Sequence, residues 1–187
     1  YQQAMAWYQK AIALNFPEAM TRYAALYQFG QTADERPDYA NAIFWYEKAI
    51  ALDDDLALSW RKSMHDCGQG TDANTLSRLL DMMWNDLLNN APLSEYTISS
   101  LRAHPQVLID KLQKENNTAR LRRLIQPGHI IKTLLDRNIG CIDQVMTHIR
   151  KLENKRLVSY KRRRDPVLDG EPLEPGLISS GFPLSRE

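Results

Sequence analysis

Phe44-Trp45-Tyr46-Glu47-Lys48-Ala49-Ile50-Ala51-Leu52 has a twin earlier in the chain at Ala6-Trp7-Tyr8-Gln9-Lys10-Ala11-Ile12-Ala13-Leu14, at a constant offset of 38. Over the longer windows 1–14 and 39–52, nine of fourteen positions are identical. Identity at a fixed offset marks an internal repeat, and a repeat sets the architecture before any single helix is assigned. Within each copy the alanines, tryptophan, tyrosine and isoleucine recur at helical spacing.

Working outward, each copy reads as helix, turn, helix. Asn15-Phe16-Pro17 interrupts the first copy, and Pro17 suits the first turn of a new helix, where its missing N–H costs little. Ala19, Met20, Tyr23, Ala24 and Tyr27 then carry an apolar stripe that Gly30 ends. In the second copy Asp38 is a candidate N-cap and Asp53-Asp54-Asp55 a turn with acid at the next helix start, where the helix dipole favours it. A metal or catalytic cluster is the competing reading of those three aspartates, but their place between two repeat helices favours a cap. The Trp-Tyr pairs could line an aromatic cage; at helical spacing with flanking alanines they are expected in the core. One hairpin cannot bury its apolar face alone, so such units stack.

The run Asp38-Tyr39-Ala40-Asn41-Ala42-Ile43-Phe44-Trp45-Tyr46-Glu47-Lys48-Ala49 resembles the tetratricopeptide superfamily, and most closely its SEL-like branch. That branch places a small residue, Trp-Tyr and Lys-Ala in one helix of each unit. The period of 38 exceeds the roughly 34 of plain tetratricopeptides. The resemblance covers about residues 1–70 and departs in two places. Gln31-Thr32-Ala33-Asp34-Glu35-Arg36-Pro37 replaces a glycine-rich turn, and Trp60-Arg61-Lys62 stands where Arg22-Tyr23-Ala24 stood. It implies a protein-binding scaffold with no chemistry and no cofactor of its own. The outward positions of the repeated helix, Gln9, Asn41, Phe44, Glu47 and Lys48, are the candidate partner contacts, with Phe44 exposed where the first copy has Ala6.

Beyond residue 70 the pattern stays helical. Leu76, Leu79, Leu80, Met83, Trp84, Leu87 and Leu88 form a stripe that Asn89-Asn90-Ala91-Pro92 stops. Met83 and Trp84 follow Trp45 and Tyr46 at the same offset, which suggests a degenerate third repeat helix. Short helices are expected at 94–102, around 107–112, at 119–125 and around 130–135, without the period. A longer one carries Ile142, Val145, Met146, Ile149 and Leu152. The whole is expected to be all-α: antiparallel helical-hairpin repeats in a short right-handed α-solenoid over 1–90, a non-repetitive basic helical bundle over 91–164, and an extended tail over 165–187.

The 187 residues suffice for a sizeable core, and 43% hydrophobic with 25% charged content indicates an ordinary globular chain. The formal charge of +1 hides an asymmetry. Residues 1–60 carry four basic and eight acidic side chains, residues 117–164 thirteen basic and three acidic. A basic half can serve an anionic partner. Residues 145–153 followed by Leu157-Val158 resemble the recognition helix and wing strand of a winged helix-turn-helix, although Arg156 replaces the usual glycine. That resemblance implies nucleic-acid contacts from Arg150, Lys151, Lys155, Arg156, Lys161, Arg162, Arg163 and Arg164. An amphipathic helix with a solvated basic face is the plainer reading.

Catalytic and metal chemistry find little support. His65, His104, His129 and His148 fall at no zinc-ligand spacing with Cys67 or Cys141, and no phosphate loop or nucleophile motif occurs. Two cysteines far apart in the chain make a disulfide framework improbable and favour a reducing, cytoplasmic setting. No apolar run suggests a membrane span. Tyr1 aligns with Tyr39 inside a repeat helix, so upstream repeats or a leader are expected beyond it.

Overall fold

The computed structural model describes residues 1–136 and 140–164, with side chains given through residue 160. All regular structure among them is helical: α1 (Gln2–Ile12), α2 (Pro17–Gln28), α3 (Tyr39–Ile50), α4 (Asp55–Asp66), α5 (Ala73–Leu88), α6 (Glu95–Ala103), α7 (Pro105–Lys114), α8 (Thr118–Leu124), α9 (Ile130–Leu135) and α10 (Cys141–Arg164).

The repeat is written first in the helix ends. Pro17 opens α2 at N1/N2, Asp38 accepts from Asn41 N at the start of α3, and Asp54 accepts from Leu56 N and Ala57 N at the start of α4. Gly30 and Gly68 follow α2 and α4 with φ of 67° and 69°. At the first of these turns Gln31 N bonds to Leu26 O and Gly30 N to Tyr27 O; at the second Gln69 N bonds to Met64 O and Gly68 N to His65 O. These are Schellman closures, which need a left-handed residue at the position glycine fills without strain.

The third unit keeps only part of the geometry: α6 does not fold back along α5 as α2 does on α1 and α4 on α3, and α5 packs instead on α3 and α7. The C-caps of α1, α3 and α5 are Ala13, Ala51 and Asn89, each one repeat period after the last. Helix α5 packs on α3, and α6 packs on α4 as α4 packs on α2. The buried side chains of α5 are Leu76, Leu79, Leu80, Met83 and Leu87, of which Leu80 and Leu87 stand one period after the buried Ala42 and Ala49 of α3.

Residues 1–152 form one compact unit. Most of its buried apolar side chains join a single cluster from Met20 to Ile149, to which α10 contributes Cys141, Val145 and Ile149. Residues 153–187 group separately, and residues 165–187, expected as an extended tail, lie outside the described residues. Leu157 and Val158, expected in a wing strand, are helical instead. No glycine or proline occurs between Cys141 and Asp165, and the lysines, arginines and leucines there are good helix formers, so α10 simply continues. The Trp-Tyr expectation also needs correcting in the first copy. Tyr46 is fully buried and Trp45 half-buried, but Trp7 is 69% exposed. Trp45 is covered by Tyr23 of α2 as well as by Phe44 of its own helix.

A histidine holds the start of α9. His129 Nδ1 accepts from Ile131 N at 3.2 Å, which requires that nitrogen to be unprotonated. Burial holds the imidazole below its usual pKa; the Leu88 backbone acts against that and the Arg123 charge adds to it. The folded state then binds fewer protons than the unfolded one. Stability from this group is present above the unfolded value of about 6.5 and is lost as pH falls from there through the lower folded value. Thermal melts are expected to drop between pH 7.5 and 5, with a smaller drop in His129→Asn, whose amide oxygen can cap without titrating. Equal drops in both proteins would show that other groups govern the acid limb.

Candidate protein-binding surface

The α3 face toward α5 begins at the cap. Asp38 holds Asn41 twice, through Asn41 N at 3.1 Å and Asn41 Nδ2 at 2.8 Å, and receives Arg78 Nη2 from α5 at 2.7 Å. Burial raises the Asp38 pKa, but the hydrogen bonds from Arg78 and Asn41 outweigh it and keep the carboxyl below the usual range. One turn on, Phe44 stands edge-on to Trp45, with centroids 5.1 Å apart. One turn further, Lys48 Nζ lies 5.5 Å above the Phe44 ring and 2.8 Å from Asp86 Oδ2 of α5. Asn41, Phe44 and Lys48 therefore share one stripe, at spacings of three and four, as an α-helix dictates.

The stripe continues sideways through aromatic edges. Trp45 meets Tyr23 of α2 at 5.4 Å, and Tyr23 meets Tyr27 at 5.2 Å. Gln9 Nε2 of α1 donates to Tyr23 Oη at 2.9 Å. Edge-to-face pairs of this kind add to the area they bury and hold the rings in one orientation. The result is a band of contacts from α1 across α2 and α3 to α5, with the half-buried Phe44 and Trp45 in its middle, the buried Tyr23 linking them to Gln9, and charged pairs at its α5 edge.

Two expectations on this face are corrected. Phe44 is half-buried rather than exposed, because the Trp45 edge and the core take one side of its ring. Glu47 is not on the surface at all; it is 4% exposed. Its Oε1 lies 3.7 Å from Nε of the fully buried Arg61. Its carboxylate accepts from Ser94 N at 2.8 Å, Ser94 Oγ at 2.5 Å and Thr97 Oγ1 at 2.6 Å. Ser94 is itself the N-cap of α6, so Glu47 sits at the positive end of that helix dipole. Thr97 Oγ1 in turn accepts from Arg61 Nε and Nη2 at 3.2 and 3.1 Å. Burial pushes the Arg61 guanidinium below its ordinary pKa, against the raising influence of Glu47 and Tyr96. Glu47 thus locks α3, α4 and α6 together beneath the stripe.

The sequence held a clue to this network. Glu47 and Arg61 stand one repeat period after Gln9 and Tyr23, the pair joined by a hydrogen bond in the first hairpin. Both members of one contact change together, from neutral to oppositely charged.

The basic residues sit elsewhere. Arg150 and Lys151 are exposed on α10 within the first unit; Lys155 and Arg156 are exposed on the same helix in the second. The side chains of Lys161, Arg162, Arg163 and Arg164 lie outside those described. Among the described residues no cluster of His, Cys, Asp or Glu could hold a metal ion, and no helix is long and apolar enough to cross a membrane.

The Sel1 repeat family matches residues 1–16 and 17–54. The second match runs from the start of α2 past the end of α3, the two helices with the widest mutual contact. No curated protein and no solved structure matches the chain. Sel1 repeats are in general protein–protein interaction modules. With hairpins, C-cap positions and glycine closures recurring at the same step that separates the sequence twins, residues 1–54 are Sel1 repeats of the tetratricopeptide-like superfamily.

Proposed function

We propose that this chain is a non-enzymatic scaffold that captures a protein or peptide partner on the α3-centred band. Asn41, Phe44 and Lys48 would make the contacts with Gln9 at the far edge, while Glu47 fixes the helix from below. The observation that carries the reading is the half-exposed Phe44–Trp45 pair rimmed by Lys48–Asp86 and Asn41–Asp38–Arg78. An aromatic centre with a polar rim is the usual anatomy of a binding hot spot. A winged-helix mode of nucleic-acid binding gains nothing from the structure, since its wing strand is part of α10.

Proximity labelling by the intact chain, compared with Phe44→Ala and with Lys48→Glu, tests this. Each variant should melt within a few degrees of the parent and lose recovery of the same partner by about tenfold, the cost of one hot-spot side chain. Undiminished recovery by both variants would remove the band as the docking face.

A further inference from the structure

Helix α10 has no wing strand, but its charge remains to be accounted for. From Lys155 to Arg164 six of ten residues are lysine or arginine and none is acidic. All ten are helical. At 1.5 Å per residue they occupy roughly 15 Å of helix, or about one positive charge per 2.5 Å. Every residue from Asn154 to Tyr160 is exposed, and among the described residues no carboxylate pairs with Lys155. In the repeats and the bundle, by contrast, Lys48, Lys111 and Lys132 meet Asp86, Asp81 and Asp136. A run this dense, with no carboxylate inside it, calls for an anion of comparable density.

Placement around the helix decides between anions. Lys161 to Arg164 make up one full turn, so cationic positions occupy every quarter of the circumference. Leu157, Val158 and Tyr160 are 57%, 50% and 56% exposed. They fall on one half of the helix, but positions 161 and 164 lie between them. A helix that rests in a membrane interface needs an apolar face clear of charge. An acidic partner helix would meet one side only. Charge on all sides suits a groove with phosphates along both edges. The major groove of duplex DNA, about 12 Å wide, admits an α-helix, and its backbone carries one negative charge per roughly 1.7 Å of axis. Its floor offers thymine methyls to apolar side chains such as Leu157 and Val158. The major groove of duplex RNA is too narrow for side chains to read. Residues 165–187 hold five acidic residues and one arginine, a far sparser charge than that of the helix.

We propose that residues 155–164 of α10 bind the major groove of double-stranded DNA, by charge and shape rather than by base sequence. A single inserted helix suffices, and no wing is needed. The segment is distinct from the α3 band, so this inference and the scaffold reading can fail separately.

The probe is a fluorescent DNA duplex of mixed sequence, about 20 base pairs or two turns long. Its anisotropy is read against the full chain, the double variant Lys155→Glu with Arg156→Glu, and Lys48→Glu. Six phosphate contacts give a slope of about −5 in log K against log salt, roughly a thousandfold loss between about 50 and 200 mM. The double variant, changed only at exposed positions, should melt as the parent does. It should bind at least about tenfold more weakly and flatten the slope by about two. Lys48→Glu should bind as the parent does. An RNA duplex of the same sequence should compete at least about tenfold less well per phosphate. The proposal is overturned by no anisotropy change at the lower salt, by a slope shallower than about −2, or by equal binding of the double variant. Equal competition by the RNA duplex, or by vesicles of equal parts phosphatidylserine and phosphatidylcholine, would also overturn it, by assigning the helix to polyanions at large.

Discussion

Glu47→Ala is expected to destabilise the chain by about 3–5 kcal/mol, the cost of stranding one member of a buried ion pair. Arg61 is fully buried, and among the described residues its Nη1 already finds no hydrogen-bond partner. Removing Glu47 takes away the charge that opposes it and also strips Ser94 N, Ser94 Oγ and Thr97 Oγ1 of their shared acceptor. For a chain of this length such a loss lowers the melting temperature on the order of 10 °C. A second variant separates the charge effect from the packing effect. Glu47→Gln combined with Arg61→Tyr writes the neutral Gln9–Tyr23 pair of the first hairpin into the second. It keeps an acceptor for Ser94 and Thr97 and should recover most of the loss. Urea unfolding of the three proteins checks this; a loss under about 1 kcal/mol in Glu47→Ala would mean that Arg61 escapes to solvent.

The second large effect belongs to a glycine, and its twin supplies the control. Gly30 and Gly68 occupy equivalent Schellman positions with nearly equal φ. Either substitution by alanine incurs the left-handed penalty of about 1–2 kcal/mol. A Cβ on Gly68 would meet nothing within 4 Å, whereas one on Gly30 would lie 2.9 Å from Arg36 C and 3.0 Å from Pro37 N. Those are backbone atoms of the turn into α3, and they cannot swing aside as a side-chain end can. Gly30→Ala is therefore expected to cost about 3 kcal/mol or more, adding an overpacking cost of about 1–3 kcal/mol. Gly68→Ala should stop at the left-handed penalty. Equal losses in the two variants, measured by urea unfolding, would show that the 31–37 turn yields freely.

What was legible in the sequence was local. Asp38, Asp54, Pro17 and Gly30 act within one turn of themselves, so their roles as caps and stops followed from residue type and position. The helical stripes likewise located the stop of α5 and, to within a residue or two, the short helices that follow. What was not legible depended on elements that arrive from far along the chain. Glu47 has a polar twin in Gln9, and only the approach of α6, much later in the chain, turns its position into the interior. Trp7 and Trp45 are the same residue in the same helix pattern, yet one is exposed and the other half-covered, because α2 covers only the second. Phe44 was read from the smallness of Ala6; its packing against Trp45 decides its burial. Leu157-Val158 invited a strand, and continuous helix propensity overrode it.

The Glu47 network also bears on how this array comes apart. In a stack of helical hairpins stability is close to a sum over neighbours, and terminal units can fray one at a time. Here the carboxylate in the second hairpin is satisfied by the helix start of the third, and Arg61 is tolerated only while both are in place. Fraying of α6 would bare a buried charge pair in α3 and α4, so α3, α4 and α6 are expected to open as one cooperative block. The repeats are thereby no longer interchangeable parts. A shortened chain ending near residue 90 would keep the matched family repeats while losing the hydroxyls and the amide that hold their last member together.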